Sequence, residues 1–166
     1  MPSLFSSHPR LYWIDAPTVG RLAVVSRPRG PEDIVALRAG GLDVLVSMLE
    51  AEEAVGENLD LEADWCRQAG VEFISRPIVD HGIPETIEEI AEVSARLVGH
   101  LAAGRAVGAH CFAGLGRSPL MMACVLLDRG LDVDHACALI SAARGANIPE
   151  MQGQRRWLET YARRRT

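Results

Sequence analysis

The residues with the clearest chemical potential form one run, residues 110–118, which reads His-Cys-Phe-Ala-Gly-Leu-Gly-Arg-Ser. Its glycines, Gly114 and Gly116, permit backbone conformations in which successive N–H groups turn inward and form a concave anion site. Arg117 adds a planar set of donors that matches a tetrahedral oxyanion such as phosphate. The same inward field favours the thiolate of Cys111, the nucleophilic form of cysteine. A nucleophile and an oxyanion site in one loop predict covalent phosphoryl transfer.

The segments around this loop predict a strand before it and a helix after it. Residues 106–110 are short and apolar, as expected of a buried strand. Ser118 and Pro119 suit the N-cap and first turn of a helix, and the apolar run that follows stops near Gly130. This order presents backbone N–H groups and a positive helix end to an anion. The alternative is a glycine-rich turn around a structural cysteine.

The spacing Cys-x5-Arg followed by Ser resembles the phosphate-binding loop of the cysteine-dependent protein tyrosine phosphatases. The chain length of 166 residues and the Ala-Gly-Leu-Gly segment are similar to the compact, dual-specificity branch of that superfamily. Low-molecular-weight phosphatases share the spacing but carry the loop near the N-terminus, whereas here it lies about two-thirds along the chain. The resemblance implies that phosphate is bound by Phe112, Ala113, Gly114, Leu115, Gly116 and Arg117. We call residues 111–117 the phosphate loop.

A second loop supplies a candidate proton donor for the leaving group. Asp80 lies in Pro-Ile-Val-Asp-His-Gly-Ile-Pro, residues 77–84, between a predicted strand and a long helix. Phosphate esters need their leaving oxygen protonated, and the position of Asp80 resembles that of the general acid in this superfamily. An Asx-turn is the alternative interpretation of Asp80. His81 is expected at the rim rather than as a second acid. We call residues 77–84 the acid loop.

The implied mechanism has two steps. Cys111 attacks phosphorus while Arg117 and the loop N–H groups bind the phosphoryl oxygens, and Asp80 protonates the leaving oxygen. Water then hydrolyses the phosphocysteine with Asp80 as base. Ser118 is expected to donate a hydrogen bond to the departing thiolate, in addition to its capping role. No metal and no cofactor are expected to take part.

Further residues are weaker candidates for supporting roles. His110 is expected to orient the phosphate loop through hydrogen bonds. By resemblance, Gln154, with Gln152 as second choice, is the candidate for positioning the hydrolytic water. Glu50 resembles an acidic residue that buttresses the arginine. An ordinary surface or loop residue is the competing interpretation for the two glutamines and for Glu50.

Composition and charge limit the classes of partner that the protein is expected to bind. The chain is 48% hydrophobic and 23% charged, with a net charge of −5 and a pI near 5.5, which disfavours a nucleic-acid partner. Its length fits one domain, residues 1–166. The sequence shows no long apolar span or signal peptide, so we expect a cytoplasmic protein without a membrane contact. We also expect a monomer.

The four cysteines show neither a CxxC pair nor a metal spacing. Cys124 and Cys137 fall among apolar helical residues and are expected in the core. Cys66 is expected to pack in the same way. By resemblance, a reversible disulfide between Cys66 and Cys111 remains the alternative.

Apolar runs alternate with helix-period segments, which predicts an α/β fold. We expect a mostly parallel sheet of four or five strands with helices on both faces, and a site beyond the carboxyl ends of the strands. The predicted strands are 21–25, 42–48, 72–78 and 106–111, with an earlier one near 11–14. The predicted helices are 31–39, 59–69, 84–103, 119–129, 134–144 and 149–163.

These features predict a phosphatase that hydrolyses phosphotyrosine in proteins and extends to phosphoserine and phosphothreonine. One alternative is a non-protein phosphomonoester, either a phosphoinositide or an RNA 5′-phosphate. The lack of basic residues in 112–116 counts against the lipid, and the acidic pI counts against RNA. Another alternative is a non-catalytic phosphopeptide-binding module, which normally lacks the nucleophile, the arginine or the acid.

Overall fold

A five-stranded sheet lies at the centre of the computed structural model, which describes residues 9–164. The strands are β1 Leu11–Ile14, β2 Leu22–Val25, β3 Val44–Ser47, β4 Glu72–Ser75 and β5 Val107–His110. Their order across the sheet is β1-β2-β5-β3-β4. β1 pairs antiparallel with β2, and the other three pairings are parallel. The predicted mostly parallel α/β sheet is therefore confirmed.

Seven helices surround this sheet within the described residues. They are α1 Pro31–Ala39, α2 Ala51–Gly56, α3 Glu62–Ala69, α4 Ile87–Ala102, α5 Arg117–Asp128, α6 Val133–Arg144 and α7 Gln152–Arg163. The sequence predicts six of them and misses α2, because this six-residue helix buries none of its side chains and so has no apolar stripe. None of the described helices is long and apolar enough to span a bilayer.

Local chemistry explains two of the shifted boundaries. The predicted strand 72–78 ends at Ser75, and Pro77, which has no N–H, cannot donate to a ladder. The predicted helix 84–103 begins only at Ile87, because the Thr86 hydroxyl accepts the N–H of Glu89 at 3.3 Å and caps the first turn. The connection between β4 and α4, which contains the acid loop, is therefore longer than the sequence predicts.

The core is divided by the sheet. In β3, Val44 and Val46 face one core cluster while Leu45 faces the other, as expected of alternating side chains. Helices α4, α5, α6 and α7 cover the first face, and α1 and α3 cover the second. Helix α5 is buried from residue 117 to residue 127. This packing gives the phosphate loop a rigid base, because the loop leads directly into α5.

Three neighbouring strands lead into the segments that form the candidate site. β5 leads into the phosphate loop, β3 leads into α2, and β4 leads into the acid loop. Since β5, β3 and β4 are parallel neighbours, their carboxyl ends meet at one edge of the sheet. The topology thus brings the three segments together at that edge.

Candidate active site

A cavity of about 280 Å³ lies between the phosphate loop and the acid loop. Its lining residues are Asp80, His81, Cys111, Phe112, Ala113, Leu115, Gly116, Arg117, Glu150 and Gln154. The structure therefore places the predicted nucleophile, arginine and acid on one cavity, together with the first-choice glutamine. The second choice, Gln152, is exposed and lines a separate cavity.

Two polar groups contact the sulfur of Cys111. Its side chain is buried, the N–H of Gly114 donates to Sγ at 3.3 Å, and Oγ of Ser118 lies 3.2 Å from Sγ. Gly114 has a φ of 73°, in the left-handed region that favours glycine. These contacts suit a sulfur that carries negative charge, before attack or after departure.

The structure corrects the predicted capping role of Ser118. Helix α5 begins at Arg117 with Gly116 as its N-cap, and the N–H of Leu120 donates to the Gly116 carbonyl at 2.9 Å. Ser118 therefore lies inside the first turn. Its hydroxyl faces Cys111 rather than the helix end, because the chain turns into the helix two residues earlier than the sequence predicts.

The guanidinium of Arg117 is held by two other segments of the chain, α2 and the acid loop. Nη1 and Nη2 donate to Oε1 and Oε2 of Glu53 at 2.7 and 3.0 Å, and Nη1 also donates to the carbonyl of Ile78 at 2.9 Å. Burial alone would lower the pKa of Arg117, but its hydrogen bonds with Glu53 and the nearby acidic groups raise it overall. The same contact holds the pKa of the Glu53 carboxyl below its usual range. Arg117 is thus a rigid, charged donor.

The prediction that Glu50 supports Arg117 is wrong. Glu53 takes that place, and the backbone N–H of Glu50 donates to Oε1 of Glu53 at 3.1 Å. The reason is α2, for which Glu50 is the N-cap and Glu53 lies in the first turn. Recognising this capping pattern in Glu-Ala-Glu-Glu, residues 50–53, would have identified the correct carboxylate.

Asp80 is paired with Arg117 across the cavity. Its Oδ1 lies 3.0 Å from Nη2 of Arg117, and Oδ1 also accepts the backbone N–H of His81 at 3.0 Å. Half of its side chain is exposed. The bond to the next residue is not the bond of an Asx-turn, which reaches the N–H two residues on, whereas the side chain does lie at the cavity that holds Cys111 and Arg117.

His81 and Glu150 form a polar contact at the mouth of the cavity. Nδ1 of His81 lies 2.7 Å from Oε1 of Glu150, and Nε2 lies 3.5 Å from Oδ2 of Asp80. His81 has a φ of 60°, a strained conformation for a residue with a side chain. The structure places His81 at the exposed rim and adds Glu150, which no spacing pattern in the sequence indicates.

Gln154 connects the acid loop to the start of α7. Its side chain is fully buried, Nε2 donates to the carbonyl of Gly82 at 3.1 Å, and Oε1 accepts the N–H of Met151 at 3.3 Å. A Cβ on Gly116 would lie 2.8 Å from Nε2 of Gln154, so a side chain there would displace the Gln154 amide. The amide therefore packs directly against the phosphate loop.

His110 is held by a buried carboxylate that the sequence analysis missed. Nε2 of His110 lies 2.5 Å from Oε1 of Glu62 on α3, and Nδ1 lies 3.4 Å from the carbonyl of Cys111. Both side chains are almost completely buried. Both ring nitrogens face oxygen atoms, which fixes the plane of the imidazole. The expected orienting contact of His110 is therefore present, with Glu62 as its partner.

The four cysteines, all within the described residues, are free thiols. Cys124 and Cys137 pack in the same core cluster as Cys111, whereas Cys66 packs in the cluster on the opposite face of the sheet. Burial raises the pKa of Cys66 to about 12. The sheet thus separates Cys66 from Cys111, which disfavours the disulfide left open by the sequence.

Comparison with known proteins assigns this arrangement to a family. A family model described as PTP-SAK, Swiss Army Knife protein, DSP-PTPase phosphatase domain, matches residues 9–161. That match covers nearly the whole chain and includes both the phosphate loop and the acid loop.

Solved structures of phosphatases share the fold. Kinase associated phosphatase (KAP), carrying serine in place of its catalytic site cysteine, superposes with a TM-score of 0.87 at 21% identity, over 96% of this chain and 97% of that chain. Tk-PTP in its active form gives 0.75 at 27% identity, over 87% and 93%. PTPMT1 in complex with PI(5)P gives 0.70 at 21% identity, over 86% and 90%. From the family match and these shared features, the chain belongs to the dual-specificity-type cysteine phosphatases.

Proposed function

We propose that this phosphatase hydrolyses phosphotyrosine in proteins, and phosphoserine and phosphothreonine as further substrates, through a phosphocysteine intermediate. The observation that carries the proposal is the pair of donors on one sulfur. The Gly114 N–H and the Ser118 hydroxyl both contact Sγ of Cys111, in the cavity that also holds Arg117 and Asp80. A nucleophile, an oxyanion site and an acid on one cavity are the components that phosphomonoester hydrolysis requires.

In the first step, the Cys111 thiolate forms the S–P bond as the P–O bond to the leaving group breaks. The electron pair of that bond passes to the leaving oxygen, which takes a proton from Asp80. Arg117 and the inward N–H groups bind the phosphoryl oxygens while their charge redistributes.

In the second step, a water oxygen attacks phosphorus and transfers a proton to Asp80. The S–P bond breaks, and its electron pair returns to sulfur, where the hydroxyl of Ser118 donates a hydrogen bond to the thiolate. Inorganic phosphate leaves, and Asp80 again carries the proton needed for the next cycle. The buried amide of Gln154, beside Gly116, supports its proposed role in positioning this water.

The contact between Asp80 and Arg117 competes with phosphate for one guanidinium. A phosphate dianion needs the same guanidinium, so we infer that substrate displaces the Asp80 carboxylate from Nη2 of Arg117. Substrate binding would thus free Asp80 to face the leaving oxygen.

Charges around the cavity favour a simple phosphomonoester over a polyanion. Two carboxylates, Asp80 and Glu150, line the cavity, and residues 112–116 carry no charge. A ligand with several phosphates would meet these carboxylates without additional cationic groups in the loop interior. A phosphorylated protein side chain presents one dianion and fits this balance.

A panel of phosphate-release assays tests the proposal. The substrates are an aryl phosphate, matched peptides carrying phosphotyrosine, phosphoserine or phosphothreonine, PI(5)P in mixed micelles, and an RNA 5′-phosphate. We expect the highest kcat/KM among the physiological classes for the phosphotyrosine peptide. A higher value for the lipid or the RNA would assign the site to a non-protein substrate. Binding of the peptides without release of phosphate would indicate a binding module instead.

A further inference from the structure

Three consecutive carbonyl groups of the phosphate loop point away from the cavity and contact guanidinium groups. The carbonyl of Phe112 accepts a hydrogen bond from Nη1 of Arg27 at 3.3 Å. The carbonyls of Ala113 and Gly114 accept from Nη2 and Nε of Arg144, at 3.0 and 3.2 Å. One guanidinium thus binds two successive carbonyls, and a second binds the carbonyl before them.

The geometry of the peptide bond makes these contacts consequential. In a trans peptide the C=O and the N–H of one plane point in opposite directions. The carbonyls of residues 112–114 share their planes with the N–H groups of Ala113, Gly114 and Leu115. Holding those carbonyls outward therefore directs three N–H groups inward. The Gly114 N–H, which reaches Sγ of Cys111 at 3.3 Å, follows this expectation.

From this relation we propose that Arg144, assisted by Arg27, is a positioning residue for the oxyanion site. The two arginines hold the phosphate loop from behind, so that its N–H donors stay preorganised in the absence of a ligand. Their positive charge also polarises the three peptide groups and strengthens each N–H as a donor. This inference rests on the proposed function of the phosphate loop.

Each guanidinium is itself fixed from another part of the chain. Arg144 is the last residue of α6. Its guanidinium lies over the ring of Tyr12 in β1, with 4.4 Å from Cζ to the ring centroid. That of Arg27 lies 4.3 Å from the ring centroid of Phe112, and its Nη2 is 3.4 Å from Oε2 of Glu57. The two side chains line a cavity of about 260 Å³ on the outer side of the loop.

The chemistry of arginine is required at position 144. Its Nε–H and Nη2–H lie in one plane and reach two carbonyls of successive peptides, a bidentate arrangement that a lysine ammonium cannot reproduce. The Gly114 carbonyl belongs to a residue with a φ of 73°, where the chain turns in the middle of the loop. Loss of Arg144 would release the loop at that turn.

The decisive measurement is oxyanion affinity, because it needs no turnover. We would titrate orthovanadate and inorganic phosphate into the parent, Arg144→Ala, Arg144→Lys and Arg27→Gln by calorimetry, and record kcat and KM with an aryl phosphate. Arg67→Ala is the matched control, since Arg67 is exposed and pairs with Asp64 on α3. We expect Arg144→Ala to weaken vanadate binding by roughly tenfold or more, with a smaller loss for phosphate and kcat reduced more than KM is raised.

Two further arms separate positioning from general destabilisation. Arg144→Lys should recover only a small part of the vanadate affinity, and Arg27→Gln should show a weaker loss than Arg144→Ala. Guanidinium chloride at millimolar concentration should partly restore vanadate binding in Arg144→Ala, whereas sodium chloride should not. Any one of three results would overturn the proposal: vanadate affinity in Arg144→Ala equal to that of the parent, full recovery of the affinity in Arg144→Lys, or no recovery with guanidinium. Absence of phosphate release in the parent, with these affinity changes intact, would instead contradict the proposed function.

Discussion

Arg117 donates a direct hydrogen bond to Asp80, with 3.0 Å between Nη2 and Oδ1. This contact places the predicted acid on the same guanidinium that must bind the phosphate. Its release by substrate ties the protonation of the leaving group to occupancy of the site. The pair therefore links binding to chemistry in the proposed mechanism.

Replacing Asp80 by Ala should slow turnover according to the leaving group. We expect kcat to fall by about 10²-fold to 10³-fold for alkyl phosphates, whose leaving oxygen needs a proton, and far less for p-nitrophenyl phosphate. Steady-state kinetics over a series of leaving groups measures this difference. Equal losses for good and poor leaving groups would reject Asp80 as the acid.

Replacing Glu53 by Gln should make the Tm depend less on pH in the acid range. The folded-state pKa of Glu53 is lowered by its hydrogen bonds to Arg117, so its ionised form stabilises the fold above the ordinary value of 4.5. That contribution is lost as the pH falls through the lowered folded value. We expect the Tm difference between the parent and Glu53→Gln to be full near neutral pH and to shrink with acid. A difference independent of pH would contradict this assignment.

A comparison of Glu50 with Glu53 tests by activity which carboxylate supports Arg117. Glu50 lies three residues before Glu53 at the N-cap of α2, while Arg117 bonds Glu53. Glu50→Gln should leave kcat with an aryl phosphate close to the parent value, whereas Glu53→Gln should lower it. A larger loss from Glu50→Gln would restore the position first predicted from the sequence.

Replacing Glu62 by Ala should strongly destabilise the protein. The change leaves the buried imidazole of His110 without its oxygen partner, and an unsatisfied buried polar group costs about 1–3 kcal/mol. Glu62→Gln, which keeps an acceptor for the imidazole, should cost less. Denaturant unfolding gives the free energies, with the exposed Glu92→Ala as control. A cost for Glu62→Ala no greater than that of the control would show that the pair is not structurally important.

Native-state alkylation should distinguish Cys111 from the other three thiols. Burial raises the pKa of Cys66 to about 12 and raises those of Cys124 and Cys137, so these thiols stay protonated and inert near neutral pH. We expect iodoacetamide to label Cys111 alone, with protection by inorganic phosphate. Peptide mass mapping locates the label. Substantial labelling of Cys66 in the folded protein would contradict the described packing.

Much of the site could be predicted because it is encoded in contiguous sequence. Cys111, Arg117 and the glycines between them occupy one strand–loop–helix segment, whose spacing directly determines its geometry. Asp80 lies in a different loop and is predicted by its resemblance to a general acid between a strand and a long helix, not by spacing within the phosphate loop. Local spacing was sufficient where one loop supplies all of the groups.

The remaining residues could not be predicted because their contacts are distant in sequence. Glu62 reaches His110 across 48 positions, and Arg144 reaches the Gly114 carbonyl across 30. Such pairs depend on how α3 and α6 pack on the sheet, which no local pattern specifies. Glu53 was missed for a different reason, since its short helix α2 carries no apolar stripe from which periodicity could be detected.

The most direct test of the central claim is a rapid acid quench of the enzyme during turnover of an aryl phosphate, followed by peptide mass mapping. Asp80→Ala is included, because loss of the base in the second step should lengthen the life of the intermediate. We expect the peptide that contains Cys111 to gain the mass of one phosphoryl group, and the corresponding peptide of Cys111→Ser to gain none. Turnover without this adduct, or undiminished phosphate release by Cys111→Ser, would contradict the proposed mechanism.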